Sequence, residues 1–249
     1  MDTSRKINAS IALFMKYAWH ILISLVSFCT ILSQSHSAEA SQTFTIIFTT
    51  YALRPINTSN IYFKSANGSL TLIQFNPKSR SSSYTATLPV ESGILHFYRK
   101  HTASDSPSIT PIGHVSLTPT DTRALLIFQQ GDSADDLKIH SIDDSSRNFP
   151  LGSLRVANIT EVNVIGKIND SQITIKNGDA SKPIQLGSNG SAEISIAAKG
   201  GERFHLLYKN RLRITSGSRG ILILRPPARK GSLRIGGHLL LESPNEIKE

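Results

Sequence analysis

The sequence is poor in cysteine, tryptophan and aromatic residues in general. Its 249 positions include one Cys, one Trp and 7% aromatic residues, and both Cys29 and Trp19 lie in the first thirty residues. A disulfide framework needs paired cysteines, and a Cys-based zinc site needs several at short spacings. Both are excluded for the chain beyond residue 40.

Long apolar runs are also missing, and the longest one lies near the N-terminus. Arg5, Lys6 and Lys16 precede the apolar stretch 21–32, and the small-x-small pattern of 38–40 follows it. Because a bilayer-spanning helix needs about 20 apolar residues, this pattern predicts a signal peptide over residues 1–40. The alternative is an uncleaved membrane anchor. Bulky Phe28 before Cys29 argues against lipoprotein processing.

Export would place the protein in the periplasm, on the outer cell surface or outside the cell.

Negative charge is scarce, since the sequence has 27 Lys and Arg but 18 Asp and Glu, for a net charge of +9. Such a surplus favours acidic partners. Residues 152–249 carry fifteen bases against eight acids, whereas residues 41–151 carry nine against eight. The second half is therefore the basic one.

Helical periodicity is absent after Phe44, where apolar residues recur at period two or in short β-branched runs. Two series of eight strands are predicted. The first series is 43–50, 60–64, 69–75, 84–89, 94–100, 113–117, 124–129 and 137–142. The second is 153–158, 162–168, 172–176, 192–197, 203–209, 211–214, 220–224 and 232–241.

The two series resemble each other in four segments, which predicts an internal duplication. The segments, with an extra loop at about 101–112 in the first copy, are 60–72 with 163–175 without a gap, 95–100 with 204–209, 122–128 with 218–224, and 137–139 with 233–235. The second of these pairings aligns His96 with His205.

Each copy is about 100 residues long, a size at which two antiparallel sheets can pack over one core. The sequence therefore predicts an all-β protein with two tandem Ig-like β-sandwich modules, module 1 over 41–145 and module 2 over 146–249. "Ig-like" refers to architecture alone, because the Cys and Trp that mark immunoglobulin domains are missing. One larger jelly roll or a barrel is the alternative.

A short motif opens module 2. Phe149, Pro150, Gly152, Ser153 and Arg155 form a Phe-Pro-x-Gly-Ser-x-Arg sequence, with Asn158 shortly after it. With the signal peptide and tandem modules, this layout resembles uncharacterised exported bacterial proteins. The resemblance implies a similar fold and location and carries no activity.

Motifs for catalysis and for cofactors are lacking. The sequence after residue 40 has no G-x-S-x-G elbow, no H-x-H or H-E-x-x-H spacing and no phosphate-binding glycine loop before a helix. Adjacent acids at 135–136 and 143–144 offer oxygen ligands for calcium, but adjacent strand side chains point to opposite faces. We expect no metal, no cofactor and no enzymatic activity.

Basic residues concentrate between Arg211 and Arg234. Arg211 and Arg213 alternate with Leu212 and Ile214, which predicts both guanidinium groups on one face of a strand. The segment 225–231 predicts a hairpin loop with a basic tip. The cluster also contains Arg219, and the predicted ligand-binding residues are Arg211, Arg213, Arg225, Arg229, Lys230 and Arg234.

Two functions fit these features. The first is a non-catalytic binding or structural protein of the cell envelope, whose module 2 engages a polyanion (polysaccharide, lipopolysaccharide or anionic lipid) or a protein partner. Nucleic acid is disfavoured, because export removes the usual targets and aromatic residues do not alternate with the bases. The alternative is a hydrolase, or an accessory domain of one, with a site between the modules near His96, His205 or the 101–112 loop.

Overall fold

The structure is a computed structural model that describes residues 42–246 apart from 54–55, 102–107, 134 and 230. This part of the chain forms sixteen β-strands. The predicted signal peptide lies outside the described residues. Module 1 contains β1 (Thr43–Ala52), β2 (Ile61–Lys64), β3 (Leu70–Leu72), β4 (Tyr84–Pro89), β5 (Ile94–His101), β6 (Ser108–Ser116), β7 (Arg123–Gln130) and β8 (Leu137–Asp143). Module 2 contains β9 (Ser153–Asn158), β10 (Val164–Ile168), β11 (Ser171–Ile175), β12 (Ile184–Gln185), β13 (Ser191–Gly200), β14 (Arg203–Arg213), β15 (Arg219–Arg225) and β16 (Gly236–Glu242).

Each module is a sandwich of two four-stranded sheets. The inner sheets have the orders β4-β1-β7-β8 and β12-β9-β15-β16, and the outer sheets have the orders β3-β2-β5-β6 and β11-β10-β13-β14. The two modules have the same strand order, which confirms the all-β fold with two tandem sandwiches. Pairing is antiparallel apart from one parallel pair in each module, β1 with β7 and β9 with β15.

Three apolar cores lie between the sheets. One lies inside each module, and the third joins the two inner sheets to each other. The third core takes Leu125 and Ile127 from β7, Ile221 and Ile223 from β15, and Phe149 from the linker. The molecule therefore has four layers, in the order outer, inner, inner, outer.

This layering explains the continuous apolar runs of the central strands. In β7, Ala124, Leu126 and Phe128 enter the core of module 1, while the residues between them enter the core shared by the modules. A strand that is buried on both faces needs apolar residues at every position, not at alternate positions. Strand β15 follows the same rule.

The linker between the modules is short. Strand β8 ends at Asp143 and β9 begins at Ser153, so the predicted boundary between 145 and 146 falls within the linker. Phe149 of the linker is fully buried.

Outside the strands, the described residues include one short 3-10 helix at Pro244–Glu246. None of their helices is long and apolar enough to cross a membrane.

Equivalent positions differ from those that the sequence comparison predicts. Strand β14, which carries His205, corresponds to β6 and not to β5, which carries His96; the predicted equivalence of the two histidines is wrong. The histidines at equivalent positions of the two modules are His140 and His238. His140 pairs with Ile127 across β7 and β8, and His238 pairs with Ile223 across β15 and β16.

The matched segments also differ in register. The turn between the second and third strands is one residue longer in module 1, since Tyr62 pairs with Leu72 whereas Ile165 pairs with Thr174. The matching of 137–139 with 233–235 is displaced by two residues. The extra loop is also shorter than predicted, because β6 already begins at Ser108.

Candidate functional site

Two of the predicted ligand-binding residues, Arg211 and Arg213, lie on the outer sheet of module 2. Leu212 of β14 and Ile214 just after it pack against the core of module 2, and the two arginines are exposed on the opposite face. The predicted common face of the two arginines is confirmed.

Three lysines extend this face, Lys209 from β14 itself and Lys167 and Lys199 from the neighbouring strands β10 and β13. Lys209 lies across from Ser195 of β13, which lies across from Lys167 of β10, and Lys199 extends from the end of β13. All are exposed. We call Lys167, Lys199, Lys209, Arg211 and Arg213 the outer basic face. Lys167 and Lys199 could not be assigned to this face from sequence, because their position depends on the pairing of β10, β13 and β14.

Few acids oppose these charges. Glu193 binds Arg211 at 2.7 Å, and Asp170 in the β10–β11 turn lies 3.4 Å from Lys167. Both pairs are highly exposed, so solvent screens them and they contribute little to stability. The outer basic face keeps a net positive charge on a rigid sheet.

Apolar side chains lie on the same face. Phe204 and Leu206 are each 58% exposed, and Ile165 lies in the cross-strand row of Leu206, with Ala197 between them. A shallow groove of about 470 Å³ runs along Ile165, Lys167 and Ala197. The surface therefore offers cations together with apolar contact area.

The remaining predicted ligand-binding residues lie elsewhere. Arg225 ends β15, Arg229 and Arg234 are exposed in the loop before β16, and Lys230 lies outside the described residues. Ile235 N donates to Leu207 O at 3.2 Å, which attaches this loop to β14. Leu207 is six residues from Arg213, about 20 Å along a strand. The predicted cluster is therefore divided into two groups.

Arg219 belongs to neither group. Its side chain is fully buried and binds Glu242, with Nε at 2.8 Å from Oε2. The sequence predicts Arg219 as one of the surface bases, and this prediction is wrong, because the residue begins a strand that is buried on both faces.

Arg219 is part of a buried charge cluster between the modules, which we define as Arg80, Arg123, Asp144, Arg219 and Glu242. Asp144 Oδ2 accepts from Arg80 at 2.5 Å and from Arg123 at 3.2 Å. Arg123 also binds Glu242, and Arg219 Nη2 lies 3.4 Å from Asp144 Oδ1. Each carboxylate thus contacts arginines of both modules.

A second buried arginine group flanks the linker. Arg155 donates to the main-chain oxygens of Asp143 and Asn148, and its guanidinium lies 5.3 Å from the Phe149 ring. Burial alone would raise the pKa of the Asp143 carboxyl. Hydrogen bonds from Ser145 and Asn148, with the charge of Arg155, outweigh burial, and the pKa of Asp143 is lowered.

The alternative site between the modules differs from its prediction. A cleft of about 660 Å³ does lie there, but it is lined by Thr49, Lys78, Arg80 and Glu242 among others, and its lining within the described part of the chain contains no histidine. His96 lies instead on the outer face of module 1, where its ring centre is 6.0 Å from that of His114.

No group of three or more His, Cys, Asp or Glu among the described residues is placed to hold a metal ion.

No protein-family model matches the chain, and no curated protein matches it significantly.

Proposed function

We propose that the protein is a non-catalytic binding or structural protein of the cell envelope, and that the outer basic face of module 2 engages a polyanionic ligand. The observation that carries the proposal is the alignment of five cations from three paired strands on one sheet face. Lys and Arg on a rigid surface attract anionic polymers and lipid headgroups through their summed field.

The groove along Ile165 supports the same proposal. Exposed apolar residues beside cations suit a ligand with both anionic groups and apolar or ring surfaces, such as lipopolysaccharide, an acidic polysaccharide or an anionic lipid. Export of the chain, which the N-terminal sequence predicts, is part of this proposal, since lipopolysaccharide and the acidic polysaccharides of the envelope lie outside the cytoplasm.

Two matched triple variants test the proposal. Lys209→Ser, Arg211→Ser and Arg213→Ser together remove three charges from the outer basic face. Arg225→Ser, Arg229→Ser and Arg234→Ser remove three charges from the β15–β16 loop, so both proteins have the same net charge. Binding to lipopolysaccharide, an acidic polysaccharide and anionic vesicles is measured over a salt series with protein purified from cells that express the full chain.

The outer-face variant is expected to lose about 100-fold in affinity for vesicles, because each cation near an anionic surface contributes about 1 kcal/mol. The loop variant is expected to bind nearly as well as the unmodified protein. An equal loss of affinity in both variants would show that only net charge matters and would contradict the proposed site. A loss of affinity in the loop variant alone would show that the ligand binds the loop and not the outer basic face.

A further inference from the structure

The cleft between the modules has an unusual set of hydrogen-bond donors. Arg80 Nε, Arg80 Nη2 and Thr49 Oγ1 are buried and have no hydrogen-bond partner among the described residues. The Arg80 side chain is 9% exposed, and both residues line the cleft. Buried polar groups are nearly always satisfied, so three unpaired donors around one cleft point to a ligand that accepts hydrogen bonds.

The duplication shows why the cleft exists on this side of the molecule. Thr50 N donates to Ser81 Oγ at 2.8 Å, and Val156 N donates to Ser181 Oγ at 3.0 Å, which makes Thr49 the equivalent of Arg155. In module 2 the long side chain of Arg155 packs beside Phe149. The short side chain of Thr49 leaves the corresponding space open.

Charge indicates the chemistry of the ligand. The buried charge cluster contains three arginines, Arg80, Arg123 and Arg219, against the two carboxylates Asp144 and Glu242. One positive charge is therefore left over. Lys78 adds a second at the exposed rim of the cleft, and Glu242 is the acid that lines it.

The geometry of Arg80 indicates which anionic groups of a ligand it can bind. Its Nη1 donates to Asp144 Oδ2 at 2.5 Å and lies 3.6 Å from Glu242 Oε2, so both carboxylates contact this one nitrogen. Nε and Nη2, the two unpaired nitrogens, form one edge of the guanidinium plane. Two parallel hydrogen bonds from such an edge are the arrangement with which arginine binds a carboxylate or a phosphate.

We propose that the cleft binds an oxyanion, the carboxylate or phosphate group of a small ligand, through the Nε–Nη2 edge of Arg80 with Thr49 Oγ1 as a third donor. Lys78 attracts the anion at the rim. This site is separate from the outer basic face and independent of its function.

The test follows the Arg80 Nε–H resonance in ¹⁵N NMR spectra of protein purified from cells that express the full chain. The probes are inorganic phosphate and glucuronate, with glucose as the uncharged control and chloride to match ionic strength. We expect a saturable shift of this resonance with phosphate, with glucuronate or with both. A response to phosphate alone identifies a phosphorylated ligand, and a response to glucuronate alone identifies a carboxylated one.

Thr49→Val removes the hydroxyl at constant shape and is expected to weaken binding about threefold to tenfold, the worth of one hydrogen bond. Arg80→Lys cannot present a two-nitrogen edge. Because it also lacks the Nε–H reporter, its binding is followed by the backbone amide resonances of Thr49 and Ser81, which line the cleft and which we expect to shift in the unmodified protein but not in this variant. Should Arg80→Lys fail to fold, Thr49→Val still decides, since it leaves the buried charge cluster intact. The outer-face triple variant is expected to bind as the unmodified protein does.

The proposal is overturned if the Arg80 resonance does not move at tens of millimolar of either anion, an excess over ordinary millimolar affinities. It is also overturned if Thr49→Val binds both probes as tightly as the unmodified protein. Neither result would affect the function proposed for the outer basic face, which is measured with different variants.

Discussion

Arg219 and Glu242 form a buried ion pair within module 2, with Nε and Oε2 2.8 Å apart, and Arg123 and Asp144 form its counterpart in module 1, with Nε and Oδ2 3.2 Å apart. The two pairs occupy equivalent positions of the duplicated fold. Each arginine also reaches the carboxylate of the other module. The duplication has thus placed two complementary pairs where the modules meet.

Removing one arginine from this cluster is expected to destabilise the protein strongly. Arg219→Met leaves Glu242 and Asp144 buried with fewer counter-charges, a change that costs about 3–5 kcal/mol in comparable buried pairs. Urea denaturation measures the free energy of unfolding. Arg213→Met, at an exposed position of the neighbouring strand, is the control and is expected to change stability by less than about 0.5 kcal/mol. Equal effects of the two changes would contradict the role assigned to the cluster.

The two modules are expected to unfold in one transition. Ile223 is fully buried in the core that joins the inner sheets. Ile223→Ala should lower the stability of the whole molecule by about 2–5 kcal/mol. Calorimetry should show a single peak whose enthalpy equals the van't Hoff value. Two separate peaks in the unmodified protein would show that the shared core does not couple the modules.

Gly190 is a position where a side chain does not fit. Its φ is +62°, and a Cβ there would lie 2.1 Å from Ile214 O. Gly93 is in the same situation against Leu117 O in module 1. Gly190→Ala must therefore move backbone, and we expect a loss of about 2 kcal/mol or more.

Gly217 provides the control for this prediction, since its φ is +76° but nothing lies within 4 Å of a Cβ there. Gly217→Ala carries the cost of a positive φ alone, about 1 kcal/mol. Comparable melting temperatures for the two variants would show that the contact with Ile214 is unimportant.

His140 predicts a pH dependence of stability. Burial, and then the charge of Lys138, lower the pKa of His140 below its ordinary value of 6.5. Below pH 6.5 the unfolded chain therefore takes up a proton at this site that the folded protein resists, and stability falls as the pH falls through this range.

His140→Gln removes that proton uptake. Between pH 7 and pH 5, its free energy of unfolding is expected to fall less than that of the unmodified protein. His205→Gln, at an exposed position on β14, is the control and should retain the original slope. Parallel stability curves for the His140 variant and the unmodified protein would rule out this contribution.

Local pattern was sufficient to predict the class of fold. Alternation along the chain and two similar series of segments gave an all-β protein with two sandwiches. The agreement on eight strands in module 2 was partly accidental. Residues 203–214 were predicted as two strands but form the single strand β14, and the two-residue strand β12 was missed. A strand of two residues leaves no periodicity to detect.

Long-range pairing was beyond the sequence. The equivalence of His96 and His205 failed because similar local patterns occur on strands with different neighbours. For the same reason the sequence could place Arg211 and Arg213 on one face but could not add Lys167, which joins them only through the register of β10, β13 and β14. Arg219 looked like a surface base, although its apolar neighbours at 220–224 were a signal of burial.

The parallel pairs set the order in which the chain can become structured during its synthesis from the N-terminus. Strand β1 must wait for β7, since Ile47 pairs with Arg123, and closing so long a loop is slow. Glu242, on the sixteenth strand, is the last member of the buried charge cluster to emerge. Until Glu242 is in place, Arg123 and Arg219 lack one of the two carboxylates of the cluster, so a chain interrupted before β16 would hold three buried arginines against one acid and is expected to fold less stably than the full chain.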